Sequence, residues 1–102
     1  MNIDFKGLRA ANMARQAEWA GTEHADIAFR ALEVADEAGE VIGAVKKLLR
    51  AQRGIAGTTL TLNDIADEIG DTVISLDLLA AQLEIEMLDV CAIDFTAPTT
   101  DP

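Results

Sequence analysis

The residues best suited to chemistry in this chain are carboxylates. Glu37 and Glu40 stand three apart, as do Glu68 and Asp71, and on an α-helix that spacing puts each pair on one face. At about 100° per residue, Glu33 falls near the first pair and Asp64 near the second, each beside a line of apolar residues rather than opposite it. If two such helices pack antiparallel, the four carboxylates converge and repel one another unless cations bind between them or some stay protonated. Hard oxygen ligands grouped in this way suit Mg²⁺ or Mn²⁺, which prefer octahedral oxygen coordination and bridge readily to phosphates. The same spacing also occurs on solvated helix faces in a chain with 18 acidic residues, so one pair alone means little. Two pairs beside apolar stripes point to a metal. A di-iron carboxylate centre fits less well, because it needs Glu-x-x-His pairs and the single histidine, His24, lies outside both motifs. His24 reads as a polar surface residue near a helix start.

The segment Ala35-Asp36-Glu37-Ala38-Gly39-Glu40-Val41, followed by Glu68-Ile69-Gly70-Asp71-Thr72-Val73, resembles the paired E-x-x-E and E-x-x-D motifs of MazG-like nucleoside triphosphate pyrophosphohydrolases. Similarity extends to Arg15-Gln16-Ala17-Glu18-Trp19, to Val45-Lys46-Lys47-Leu48 and to the loop at Gly54, and so covers residues 12 to 88. The resemblance implies an all-α antiparallel bundle in which Glu37, Glu40, Glu68 and Asp71 ligate Mg²⁺. It also implies that a (deoxy)nucleoside triphosphate is split into monophosphate and pyrophosphate. Metal ions in such a site neutralise phosphate charge and lower the pKa of a bound water.

Lys47 lies two turns beyond Glu40 on nearly the same face, where its ammonium either reaches phosphate oxygens or simply complements the C-terminal end of its helix. Arg50 and Arg53 near the loop are secondary candidates. Asn12, Gln16 and Trp19 share one face of the first helix, with Arg15 beside it. They either form a wall that reads a base, with amides to hydrogen-bond and an indole to stack, or include in Trp19 the largest filler of the core. Two departures from the family pattern stand out. Relatives commonly carry a Lys-Phe-Asn signature and a further lysine at the C-terminal end, where this chain reads Asp94-Phe95-Thr96. Ser75 stands where an aromatic residue is common, which implies a more open base pocket. A module that binds nucleotide or metal without turnover, or a purely structural helical oligomer, are the alternatives to an enzyme.

The whole chain narrows these readings. Its formal net charge is -10, from 18 acidic and 8 basic side chains, which argues against a broad hold on nucleic acid polymers or anionic lipid and favours cations as partners. Half of the residues are apolar but only 4% are aromatic, so the core must be built from Ala, Leu, Ile and Val. At 102 residues a single domain buries only about two-thirds of its unfolded surface, and self-association as a homodimer or homotetramer would enlarge the core. Cys91 is the sole cysteine; among Val90, Ala92 and Ile93 it reads as a buried spacer, and the absence of an intrachain disulfide fits a reducing, cytoplasmic setting. No basic-then-apolar leader opens the chain. The most apolar stretch, Thr72 to Leu83, is interrupted by Asp77 and too short to span a bilayer, so no membrane partner is expected.

The elements that must position these residues are helices, because nowhere do apolar and polar residues alternate as in a strand. A first helix is expected over Asp4 to Trp19, closed by Gly21 and Thr22. A second, Glu23 to Gln52, carries the stripe Ile27, Ala31, Val34, Ala38, Val41, Val45 and Leu48. After a glycine-containing loop at Gly54 to Thr59, Thr61 and Asp64 form a capping box that opens a third helix reaching Glu84, with the stripe Leu62, Ile65, Ile69, Val73, Leu76, Ala80 and Leu83. A short fourth helix is expected over Met87 to Phe95. Residues 1–96 then form one domain, and 97–102 a frayed tail.

Overall fold

A computed structural model describes residues 4–19 and 21–88. Three α-helices make up the fold, α1 over Phe5–Glu18, α2 over Ile27–Gln52 and α3 over Leu62–Gln82, with a single 3₁₀ turn at Thr22–His24. There is no strand among the described residues, and none of their helices is long and apolar enough to cross a membrane. The chain turns helical again at Met87 and Leu88. The rest of the expected fourth helix, Cys91, the Asp94-Phe95-Thr96 segment and the expected tail lie outside the described residues.

Each helix starts on a side chain that accepts an otherwise unpaired N–H. Asp4 accepts from the Gly7 N–H at 2.7 Å and Asp26 from the Phe29 N–H at 2.9 Å. At α3 the expected capping box is complete: the Thr61 hydroxyl accepts from the Asp64 N–H at 3.3 Å, and the Asp64 carboxylate accepts from the Thr61 N–H at 2.7 Å. The second helix therefore begins at Ile27 rather than Glu23. Gly21 adopts φ 85° and the His24 N–H donates to its carbonyl, so a separate tight turn absorbs the four residues before Asp26.

The C-terminal ends of α2 and α3 share one device. After α2, Gly54 sits at φ 70° while the Ile55 N–H donates to the Arg50 carbonyl at 2.9 Å and the Gly54 N–H to the Ala51 carbonyl at 3.1 Å. This is the paired-bond closure that a left-handed residue permits. After α3 the same pair of bonds runs from Ile85 to Ala80 at 2.8 Å and from Glu84 to Ala81 at 3.1 Å. There the left-handed residue is Glu84, at φ 58°, which carries a Cβ into a region that favours glycine.

Packing is organised around α3, one side of which lies along α2 and the other against α1. Among the described residues the buried apolar side chains are few, Ala44, Ile65, Leu78 and Ala80. The buried residues of α2 are Arg30 and Ala44, so its packed face is turned from the expected stripe. Ile27 and Val45 of that stripe are exposed, as are Ile69, Leu76 and Leu83 of α3. Leu32, Ile42 and Leu62 are each about 70% exposed, at 69%, 70% and 72%. The radius of gyration is 17.2 Å, against about 13 Å for a compact chain of this length. A single copy leaves much of its apolar surface uncovered.

Replacing Glu84 with glycine removes the left-handed penalty without touching a core contact, and is expected to stabilise the fold by about 1 kcal/mol, a rise of roughly 4 °C in melting temperature. A thermal melt of the variant checks it. A lower melting temperature would mean that the Glu84 side chain contributes more than its backbone costs.

Candidate metal centre

The antiparallel pairing of α2 with α3 brings the acidic motifs together. One carboxylate oxygen each from Glu37, Glu40 and Glu68 lies within 4.8 Å of the others. Glu40 faces Glu68, and Glu37, one turn earlier on α2, feels the charge of Asp71, one turn later on α3. That register is what opposite helix directions produce. Asp71 stands just outside the tight group and is exposed, yet its charge acts on both Glu37 and Glu68. Three of the four acids singled out by spacing thus lie together, and the charge of the fourth acts on two of them.

Its electrostatics are those of uncompensated negative charge. Glu37 is pushed above the ordinary carboxylate range by partial burial, then by the charges of Glu40, Asp71 and Asp36. Glu68 is raised first by the Glu40 carboxyl, close enough to share a proton with it, then by burial and by the charges of Glu40, Asp71 and Glu37. Glu37 Oε2 and Glu68 Oε2 are buried and have no hydrogen-bond partner. Buried acceptors without donors are costly, and three carboxylate oxygens within 4.8 Å of one another could take a cation between them. No cationic side chain forms an ion pair with Glu37, Glu40, Glu68 or Asp71 among the described residues.

The neighbouring acids have other work. Glu33 accepts from Arg30 Nη1 at 2.8 Å, and Asp64 caps α3. Arg30, only 3% exposed, also donates through Nη2 to the Gln16 side-chain oxygen, which ties α1 to α2 two turns before Glu37. Sequence reasoning missed Arg30. The signal was its seven-residue spacing from Glu37, which places a cation on the same face as the acids.

The three residues expected to form a base-reading wall are placed unequally. Asn12 is 1% exposed, with its amide nitrogen on Asp77 Oδ2 at 2.9 Å and its oxygen accepting from Arg15 at 2.6 Å. Gln16 is half-buried and held by Arg30. Trp19 ends α1 and is 55% exposed, so it does not fill the core. Ser75 is buried. Lys47 is exposed and lines a cleft between the end of α2 and the following loop. Asp77, which the sequence marked only as an interruption of an apolar run, is fully buried and receives Arg9 Nε at 3.1 Å on each oxygen.

No protein-family model matches the chain, and no curated protein and no solved structure matches it.

The raised acids make a signed prediction. Between the ordinary value of 4.5 and the raised folded-state value, the native protein binds more protons than the unfolded chain, so stability falls as pH rises through that window. Glu68→Gln removes one such group. In metal-free buffer the variant is expected to melt above the parent at pH 7, with the gap closing towards pH 4.5. A gap that is constant with pH would mean that Glu68 is not under charge stress.

Proposed function

We propose that this chain is a Mg²⁺-dependent nucleoside triphosphate pyrophosphohydrolase of the MazG-like kind, releasing monophosphate and pyrophosphate from a (deoxy)nucleoside triphosphate. The observation that carries the reading is the convergence of Glu37, Glu40 and Glu68 within 4.8 Å, on the two helices whose motifs resemble that family, with unpartnered buried oxygens on Glu37 and Glu68. In this reading Glu37, Glu40, Glu68 and Asp71 hold the cation, Mn²⁺ serving in place of Mg²⁺. Bound there, the metal supplies charge neutralisation at the phosphates and an activated water. The protein's own part is to fix the oxygens on two rigid helices, to take the water's proton on one of the four carboxylates, and to offer Lys47 to phosphate oxygens. Of the expected wall Trp19 is the residue more than half exposed, while Asn12 is held by Asp77 and Arg15 and Gln16 by Arg30.

The missing C-terminal lysines at Asp94-Phe95-Thr96 favour a second reading, a nucleotide- or metal-binding module of reduced turnover. Incubation with a panel of nucleoside triphosphates and Mg²⁺, with products separated by chromatography, decides between them. Monophosphate and pyrophosphate are expected together, and Glu40→Gln is expected to lower the rate on the order of a hundredfold or more. Diphosphate with orthophosphate as main products would overturn the cleavage position.

The reading includes a homodimer or homotetramer in the cytoplasm. Its support is the exposed apolar surface of Leu32, Ile42, Leu62 and Ile69, more than solitary domains usually leave in water. Sedimentation at micromolar concentration is expected to give a dimer or larger; a stable monomer would count against it.

A further inference from the structure

One side of α2 packs on α3, and the side turned away from the carboxylates is apolar and uncovered. At about 100° per residue, Ile27, Ala31, Ala38, Ile42, Val45 and Leu49 fall within a sector of roughly 60°, centred about 110° around the helix from Glu37. Ala38 is half-buried and the other five are exposed. The stripe reads alike in both directions. With Ala38 as midpoint, Val34 mirrors Ile42 at an offset of four, Ala31 mirrors Val45 at seven, and Ile27 mirrors Leu49 at eleven. These are the offsets that return to one helix face. A second α2 laid antiparallel across the first, with the two Ala38 residues facing, therefore meets apolar with apolar from 27 to 49, about 35 Å of helix.

The charges at the two ends favour the same arrangement. Glu23 and Asp26 precede α2, whereas Lys46, Lys47, Arg50 and Arg53 crowd its C-terminal end. Lys46, Arg50 and Arg53 enter no ion pair among the described residues. They share a cleft of about 530 Å³ with Ile42, Val45, Leu49 and Ile55, so cations stand beside an apolar surface. Such a cleft suits a segment that is apolar and acidic at once. Reflection about Ala38 brings Arg53 level with Glu23 and Arg50 level with Asp26, both acids being exposed. Parallel helices would instead set one basic end against the other, where like charges repel. At the midpoint Ala38 and Ile42 also line a furrow of about 280 Å³ with Ile69 and Val73 of α3, and Gly39 beside them carries no side chain to hold a partner off.

We infer that this face of α2 docks on the same face of a second copy of the chain, with the helices antiparallel, Ala38 at the two-fold axis and Glu23 beside the partner's Arg53. A two-fold contact requires a surface that is its own complement, and this one is so in both apolar pattern and charge. The inference deepens the self-association included in the proposed function. It rests on that reading only for the existence of a second copy and is independent of any nucleotide chemistry.

Sedimentation of the full chain is compared with Glu23→Arg, with Arg53→Glu and with both together. Each single exchange is expected to weaken the dimer roughly tenfold or more, and the double exchange, whose net charge equals the parent's, to recover most of that loss. Cross-linking tests the register separately. In a Cys91→Ser background, Ala38→Cys places one thiol of each copy at the axis. Helix axes about 9–10 Å apart leave facing Cα atoms about 4.4–5.4 Å apart, within the span of a disulfide, so mild oxidation is expected to give a covalent dimer. Asp36→Cys is exposed but lies about 160° around the helix from position 38, and is expected to give none. A double exchange no better than the singles, a covalent dimer equally abundant at both positions, or none at position 38 would each overturn the inference. If the parent sediments as a dimer in that event, self-association stands and only its face and register are refuted; a monomeric parent refutes both. Circular dichroism verifies that the variants fold.

Discussion

A buried carboxylate, Asp77, is the constraint on which the arrangement of the chain depends. It is fully excluded from solvent, and an isolated charge in that position would cost several kcal/mol. It is tolerated because α1 supplies Arg9 and Asn12 as donors. The same guanidinium reaches on to the Ile85 carbonyl at 2.7 Å and to Glu86 at 3.3 Å, just beyond the left-handed closure of α3. One side chain thus sets the position of α1 and the path of the chain after α3. Losing either half of such a pair typically costs about 3–5 kcal/mol, a large part of the roughly 5–15 kcal/mol that holds a domain. With so few apolar side chains buried among the described residues, this clamp and the Arg30–Gln16 bond do much to fix where α1 lies.

That clamp also explains the character of the acidic centre. Arg9 is committed to Asp77, Arg15 to Asn12, and Arg30 to Glu33 and Gln16. The basic cluster at the end of α2 begins at Lys46, six residues beyond Glu40. Among the described residues no cation forms an ion pair with Glu37, Glu40 or Glu68, and the carboxyls of Glu37 and Glu68 are held above the ordinary carboxylate range. The charge of Asp77 is thus compensated within the chain, and that of Glu37, Glu40 and Glu68 is not, among the described residues.

Much of this was legible in the sequence. The three helices and the capping box at Thr61 follow from periodicity and from a polar side chain three residues before its partner. The carboxylate cluster follows from two equally spaced pairs on helices joined by a short loop. What periodicity could not supply is the direction of each face. Ile27 and Val45 matched the stripe of α2, yet Arg30 and Ala44 are the residues buried, because apolar spacing cannot distinguish a face packed within the chain from one left exposed. Asp77 and Arg9 were illegible for a related reason: a lone acid in an apolar run announces burial but does not name its partner. Trp19 was legible only as one of two alternatives, a wall residue or the largest filler of the core, and its place at the end of α1 leaves it 55% exposed and so not the filler.

The spacing of these contacts along the chain has a kinetic consequence. Helices α2 and α3 are joined by the nine residues 53–61, so the hairpin that gathers the carboxylates closes a short loop whose ends are shaped by local turn chemistry. The Arg9–Asp77 clamp joins positions 68 apart in sequence, and contacts that close long loops form late. Loop closure therefore favours pairing of α2 with α3 before α1 docks. Damage to the clamp then hastens unfolding far more than it slows folding, so a weakened protein would lose its first helix while the α2–α3 hairpin is still whole.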